Sequence, residues 1–133
     1  MKPVDQTITN FHSGDCFRAC VASIFELPIE KIPNFMKDGS NYFAAQVKHW
    51  CTQNDIRMVD LFIDGNKEII EDCIVIACGQ SPRGTTKEHR HAVVWCNEII
   101  HDPHPSRDGL VGDPEFYTIT FPLNPKQLFF KKI

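Results

Sequence analysis

The order of hydrophobic patterns along the chain predicts an α+β fold, N-terminal helices packed on an antiparallel β-sheet. Three observations carry that prediction. Apolar residues recur with a helical period of about 3.6 in the N-terminal part. After Asn54-Asp55 the pattern changes to short strand-like runs. Two of these runs, 91–95 and 98–102, are separated only by Cys96-Asn97, which reads as a hairpin.

Residues 1–15 read as an irregular arm carrying two amide side chains, Gln6 and Asn10. Ser13, Gly14 and Asp15 supply loop and N-cap chemistry, and a helix begins directly after them. Its buried face is predicted to hold Phe17, Cys20, Val21, Ile24 and Leu27, and Pro28 ends it. Residues 28–33 allow one short turn, and 34–39 form a loop. A second helix is expected from Ser40 or Asn41 to about Gln53, with Phe43, Val47, Trp50 and Cys51 as its apolar stripe.

Strands are expected at 56–63, at 73–78 as a buried apolar run, in the 91–102 hairpin and at 116–121, with a last one at 128–131. Asp64-Gly65-Asn66 is a turn. Segments 79–90 and 102–115 are polar loops.

At 133 residues the chain is read as a single domain, 1–133, long enough for a hydrophobic core. A net charge of −3 with no basic run beyond Lys131-Lys132 gives no ground for nucleic-acid binding. No segment approaches the roughly 20 apolar residues that span a bilayer, so no membrane partner is expected. The N-terminus lacks an apolar signal core, and the six cysteines therefore read as reduced thiols of a cytoplasmic protein.

Cys16 falls in the first turn of the first helix, after a glycine that leaves room above it. Free backbone N–H groups and the positive end of the helix dipole favour a thiolate at such a position. The partners come from the hairpin. A two-residue turn at Cys96-Asn97 would pair Trp95 with Glu98 and, counting back, His91 with Asp102. Directly opposed residues share a face, with Cβ atoms about 5 Å apart. A carboxylate there would fix the imidazole, and the imidazole could take a proton from a thiol.

With Gly14-Asp15-Cys16 opening a helix, His91-Ala-Val-Val opening a strand and Asp102-Pro103 ending the next, the chain resembles the papain-like cysteine peptidase superfamily. It is most similar to the compact double-glycine leader peptidases, and to small phage and bacterial proteins with the same opening. The resemblance implies a thiol hydrolase acting on a peptide, isopeptide or related amide bond of a peptide or protein substrate, or transferring the acyl group to an amine. It implies Cys16 as nucleophile, His91 as proton carrier, Asp102 as its orienting carboxylate, and no cofactor or metal. The family's oxyanion-binding glutamine usually stands about six residues before the nucleophile. Here that place holds Asn10, while Gln6 is ten residues before Cys16. The longer Gln6 is assigned the role, with Asn10 as the alternative.

Other readings compete. A protein keeping the papain-like frame for binding or inhibition would not need the thiol. Cys16 and Cys20, with His12 or with His89, His101 and His104, could hold a structural zinc. Cys51, Cys73 and Cys78 read as core thiols, Trp50 and Trp95 as core aromatics, and His101 as structural. His104 is the main rival to His91 and His89 a lesser one. Arg83, Lys87, Arg90 and Arg107 would border a cleft tolerant of acidic groups, or serve as solvated loop charges.

Overall fold

A computed structural model describes residues 1–10, 14–84, 86 and 88–124. Two α-helices, α1 (Cys16–Phe25) and α2 (Phe43–Gln53), pack on a five-stranded sheet, so the chain is α+β. The strands are β1 (Ile56–Leu61), β2 (Val75–Gln80), β3 (Arg90–Trp95), β4 (Ile99–His101) and β5 (Val111–Pro122). Their order across the sheet is β1-β5-β2-β3-β4, and each neighbouring pair is antiparallel.

The helices cover one face. Cys20, Val21 and Ala22 of α1 join Trp50 and Cys51 of α2 and Ile76, Cys78, Ala92 and Val94 of the sheet in one core. Ile70, Val75, Ala77, Val93 and Tyr117 form a second cluster. The alternation along β2 and β3 therefore feeds both faces, which is why these strands read as continuous apolar runs. Phe17, Phe35 and Phe43 close the top of the helix layer with edge-to-face contacts.

Several sequence expectations change here. Helix α1 stops at Phe25 because Glu26 adopts a left-handed conformation (φ 56°). Leu27, expected on the buried face, is consequently 39% exposed. Strand β2 begins at Val75 rather than 73, since a turn ties the Cys73 N–H to the Ile70 carbonyl (3.0 Å), and Cys73 is exposed rather than a core thiol. Strand β5 begins at Val111, earlier than the expected 116. A register shift opposite Cys78–Gln80 lets it absorb Gly112 (φ 70°) and Pro114. Trp50 is buried, whereas Trp95 is only partly so. The strand expected at 128–131 lies outside the described residues.

The hairpin register is also different. Trp95 pairs with Ile99 rather than Glu98, so the loop is Cys96-Asn97-Glu98. Asn97 takes φ 65°, and its amide exchanges two 2.8 Å hydrogen bonds with Asp72. That cross-link holds the longer loop open. A further shift brings Val94 opposite His101, and the strand ends there. Asp102 is thus not the cross-strand partner of His91.

Candidate active site

Asp102 reaches His91 by another route. The chain leaves the sheet after His101, and the Asp102 carboxylate turns back, placing Oδ1 at 2.6 Å from His91 Nε2. The same Oδ1 accepts the His104 N–H at 2.9 Å, and Oδ2 accepts the Gly109 N–H at 2.7 Å. Arg107 donates to the Asp102 and His104 carbonyls, closing the loop from behind. The run Asp102-Pro-His-Pro-Ser-Arg-Asp-Gly109 is therefore a cradle built around one carboxylate.

His91 is 3% exposed and Asp102 5%. Burial disfavours the charge on His91, but the Asp102 and Cys16 side chains outweigh it, and the imidazole titrates at about 9. Burial also works against the Asp102 carboxylate. Its bonds from His91 and from the His104 and Gly109 N–H groups prevail and hold it at about 2. The pair is an imidazolium and a carboxylate at neutral pH.

The Cys16 side chain stands beside His91 and favours its charged form. With Nε2 facing Asp102, Nδ1 is the nitrogen left for the sulfur. Cys16 is the first residue of α1 and is partly exposed. Its N–H, like the next ones in the turn, has no acceptor within the helix. Gly14 lets this turn approach the arm: a Cβ there would lie 2.4 Å from the Asn10 carbonyl oxygen.

Asp15 stands at the N-cap, but its carboxylate caps none of the helix N–H groups; within the helix it meets only the Arg18 guanidinium, at 3.5 Å. It accepts instead from the Thr7 N–H (2.9 Å), the Thr7 hydroxyl (2.6 Å) and the Ile8 N–H (2.9 Å). Asp15 therefore fastens the arm to the start of α1, a role that the sequence reading missed. The aspartate read as an N-cap was the available signal. Further ties run from the Gln6 N–H to the Pro103 carbonyl (3.0 Å), from His101 Nε2 to the Val4 carbonyl (3.0 Å) and from Arg107 to Asp5.

Gln6, 9% exposed, is held between these ties. Its Nε2 donates to the Ile8 carbonyl at 2.8 Å, and its buried Oε1 has no partner among the described residues. Gln6, Asn10, Gly14, Cys16, His91 and His104 border one cavity of about 960 Å³. Apolar side chains, Phe17, Met36, Phe43, Val47, Met58 and Phe116, also line it.

The remaining candidates separate. Cys20 and Cys78 are buried beneath the site, and burial pushes both thiols up. Cys51 is buried, and burial pushes it up as well. His101 braces the arm. His89 and Arg90 border the cavity, as does Arg83, which also meets Ser106. Arg107 turns away to Asp5, and so does not border the cleft as expected. Lys87, His12 and Ser13 lie outside the described residues. Among the described residues, no three His, Cys, Asp or Glu side chains are grouped to hold a metal ion. Nor is any helix among them long and apolar enough to cross a membrane.

A scan of protein-family models and searches of curated proteins and of solved structures find no match to this chain.

Proposed function

We propose that the protein is a small papain-like thiol hydrolase that cleaves a peptide, isopeptide or related amide bond, with Cys16, His91 and Asp102 as its triad. The observation that carries the reading is the 2.6 Å bond between the Asp102 carboxylate and His91, with Cys16 beside that imidazole at the wall of a cavity large enough for a peptide segment.

In this reading the Cys16 sulfur attacks the substrate carbonyl carbon, and its proton resides on His91 Nδ1. The tetrahedral oxyanion lies against the Cys16 N–H and the Gln6 amide. When the C–N bond breaks, His91 gives its proton to the departing amine, leaving an acyl-thioester on Cys16. Water then enters, His91 accepts its proton, and the acid is released. An amine entering in place of water would give acyl transfer. Asp102 keeps its negative charge throughout and holds His91 in one orientation.

Reaction with a peptidyl aldehyde or an acyloxymethyl ketone, followed by peptide mapping, tests the proposal. The adduct is expected on Cys16 and absent from Cys16→Ala. An adduct distributed over Cys73 and Cys96, with Cys16 unmodified, would overturn it.

A further inference from the structure

We propose that His104 is a second functional imidazole, locked by Ser106 with its proton on Nε2 and donating that hydrogen bond to a carbonyl oxygen of the substrate held at Cys16. The inference rests on the reading of Cys16 as nucleophile. His104 borders the same cavity as Cys16 and His91, with ring centroids of the two histidines 6.3 Å apart and planes at 82°.

Its tautomer follows from its neighbours. A backbone N–H can only donate, and the Ser106 N–H lies 3.0 Å from His104 Nδ1. Nδ1 must therefore present a lone pair. The Ser106 hydroxyl is 2.8 Å from the same nitrogen and accepts from Arg83 Nη1 at 3.0 Å. With the guanidinium on its lone pair, the hydroxyl directs its own O–H at Nδ1. Arg83, Ser106 and His104 form a chain of donors ending on Nδ1, and the neutral ring carries its proton on Nε2. Among the described residues, no protein group is hydrogen-bonded to Nε2.

The ring also stays uncharged. Partial burial and the nearby Arg83 and His91 cations hold its pKa below the usual 6.5. Two histidines on one cavity thus do different work. His91 is cationic and passes a proton; His104 is neutral and presents a fixed N–H. A neutral donor of this kind suits an uncharged carbonyl oxygen, because it stabilises charge that develops there without carrying charge of its own. Arg83 and Ser106 are positioning residues for it. The backbone N–H of His104, not its ring, serves Asp102, so replacing the ring leaves the cradle's bond in place.

Two alkylating agents separate this role from the reactivity of the thiol. Iodoacetamide brings a carbonyl oxygen to Cys16, and allyl iodide does not. His104→Ala should slow iodoacetamide at Cys16 by roughly five-fold, the equivalent of one hydrogen bond, with allyl iodide unaffected. His104→Gln, which keeps an N–H near Nε2, should restore the rate. Equal rates in wild type and His104→Ala, or equal slowing with both reagents, would overturn the inference. If wild-type Cys16 is not the thiol alkylated, the nucleophile reading fails first. Nitrogen-15 NMR of the histidine rings examines His104 alone: at pH 7 its proton should be on Nε2, and it should stay there in Ser106→Ala, which keeps the backbone N–H that faces Nδ1. A ring protonated on Nδ1 in the wild type would overturn the proposal whatever Cys16 does.

Discussion

His91 Nε2 and Asp102 Oδ1 lie 2.6 Å apart although their backbones are not paired across the hairpin. The carboxylate is positioned by two backbone N–H groups of its own loop, those of His104 and Gly109, so the pair depends on the 102–109 cradle rather than on the sheet register.

The pair should make stability depend on pH at both ends. The folded pKa of His91, about 9, is above its ordinary 6.5. Its contribution is complete below pH 6.5 and disappears as pH rises through about 9. Asp102, at about 2, is below its ordinary 3.8. Its contribution is complete above pH 3.8 and is lost as pH falls through about 2. Denaturant unfolding measured across pH should therefore show a plateau between these limits. In Asp102→Asn both limbs should flatten, and the His91 pKa, followed by NMR, should fall because burial is then opposed by Cys16 without the Asp102 charge. Turnover should drop at least about ten-fold as the imidazole loses its orienting charge; in a serine protease the same change costs about 10⁴-fold. A His91 pKa unchanged by the substitution would remove Asp102 from the relay.

Cys16 should be the first thiol modified by iodoacetamide near neutral pH. Cys73 is more exposed, so exposure alone would favour it. Cys16, however, has the His91 imidazole beside it and stands in the first turn of α1. Cys16→Ala should abolish hydrolysis while leaving the fold intact. Cys20→Ala should instead cost about 1 kcal/mol or more, because Cys20 is 0% exposed in the core. Mass mapping at partial modification and thermal unfolding of the two variants decide the matter.

The sequence made the fold class legible because α1, α2 and the buried strands each have one strong periodicity. Cys16 was legible for a local reason, as a cysteine directly after Gly-Asp at the start of a helical pattern. The His91–Asp102 pairing was reached through the wrong register. The three-residue loop at Cys96–Glu98 depends on Asn97 bonding to Asp72, a contact 25 residues away in sequence, which no local pattern encodes. For the same reason the role of Asp15 was hidden. An aspartate before a helix reads as a cap, and only the folded chain brings Thr7 and Ile8 to its carboxylate.

That anchor can be tested by itself. Asp15 is 2% exposed and accepts three hydrogen bonds from the arm. Asp15→Asn keeps the shape but turns one acceptor into a donor facing donors. A loss of about 3 kcal/mol is expected from bonds to a buried charged group. Limited proteolysis should then cut within residues 1–10 while the remaining fold persists. An arm that stays protected in Asp15→Asn would mean that the ties at Pro103, Val4 and Asp5 suffice without it.

Gln6 connects the arm to the chemistry. Its Nε2 spends one hydrogen on the Ile8 carbonyl and has a second to offer, while its position is fixed by the Gln6 N–H bond to Pro103 and by the Asp15 clasp on Thr7 and Ile8. If that second hydrogen meets the oxyanion, Gln6→Ala should lower kcat by about 100- to 1000-fold with little change in KM, since the bond forms only in the transition state. Alkylation of Cys16 by iodoacetamide should be nearly unaffected, because displacement of iodide builds no oxyanion. Asn10→Ala is the control: Asn10 borders the same cavity and stands six residues before Cys16, so the two amides compete for one role. A large fall in kcat for Asn10→Ala with Gln6→Ala near wild type would transfer the oxyanion to Asn10. The mutual approach of Gly14 and the Asn10 carbonyl would then matter more than the length of the arm, and Gly14→Ala, which drives a methyl into that carbonyl, would reproduce the loss.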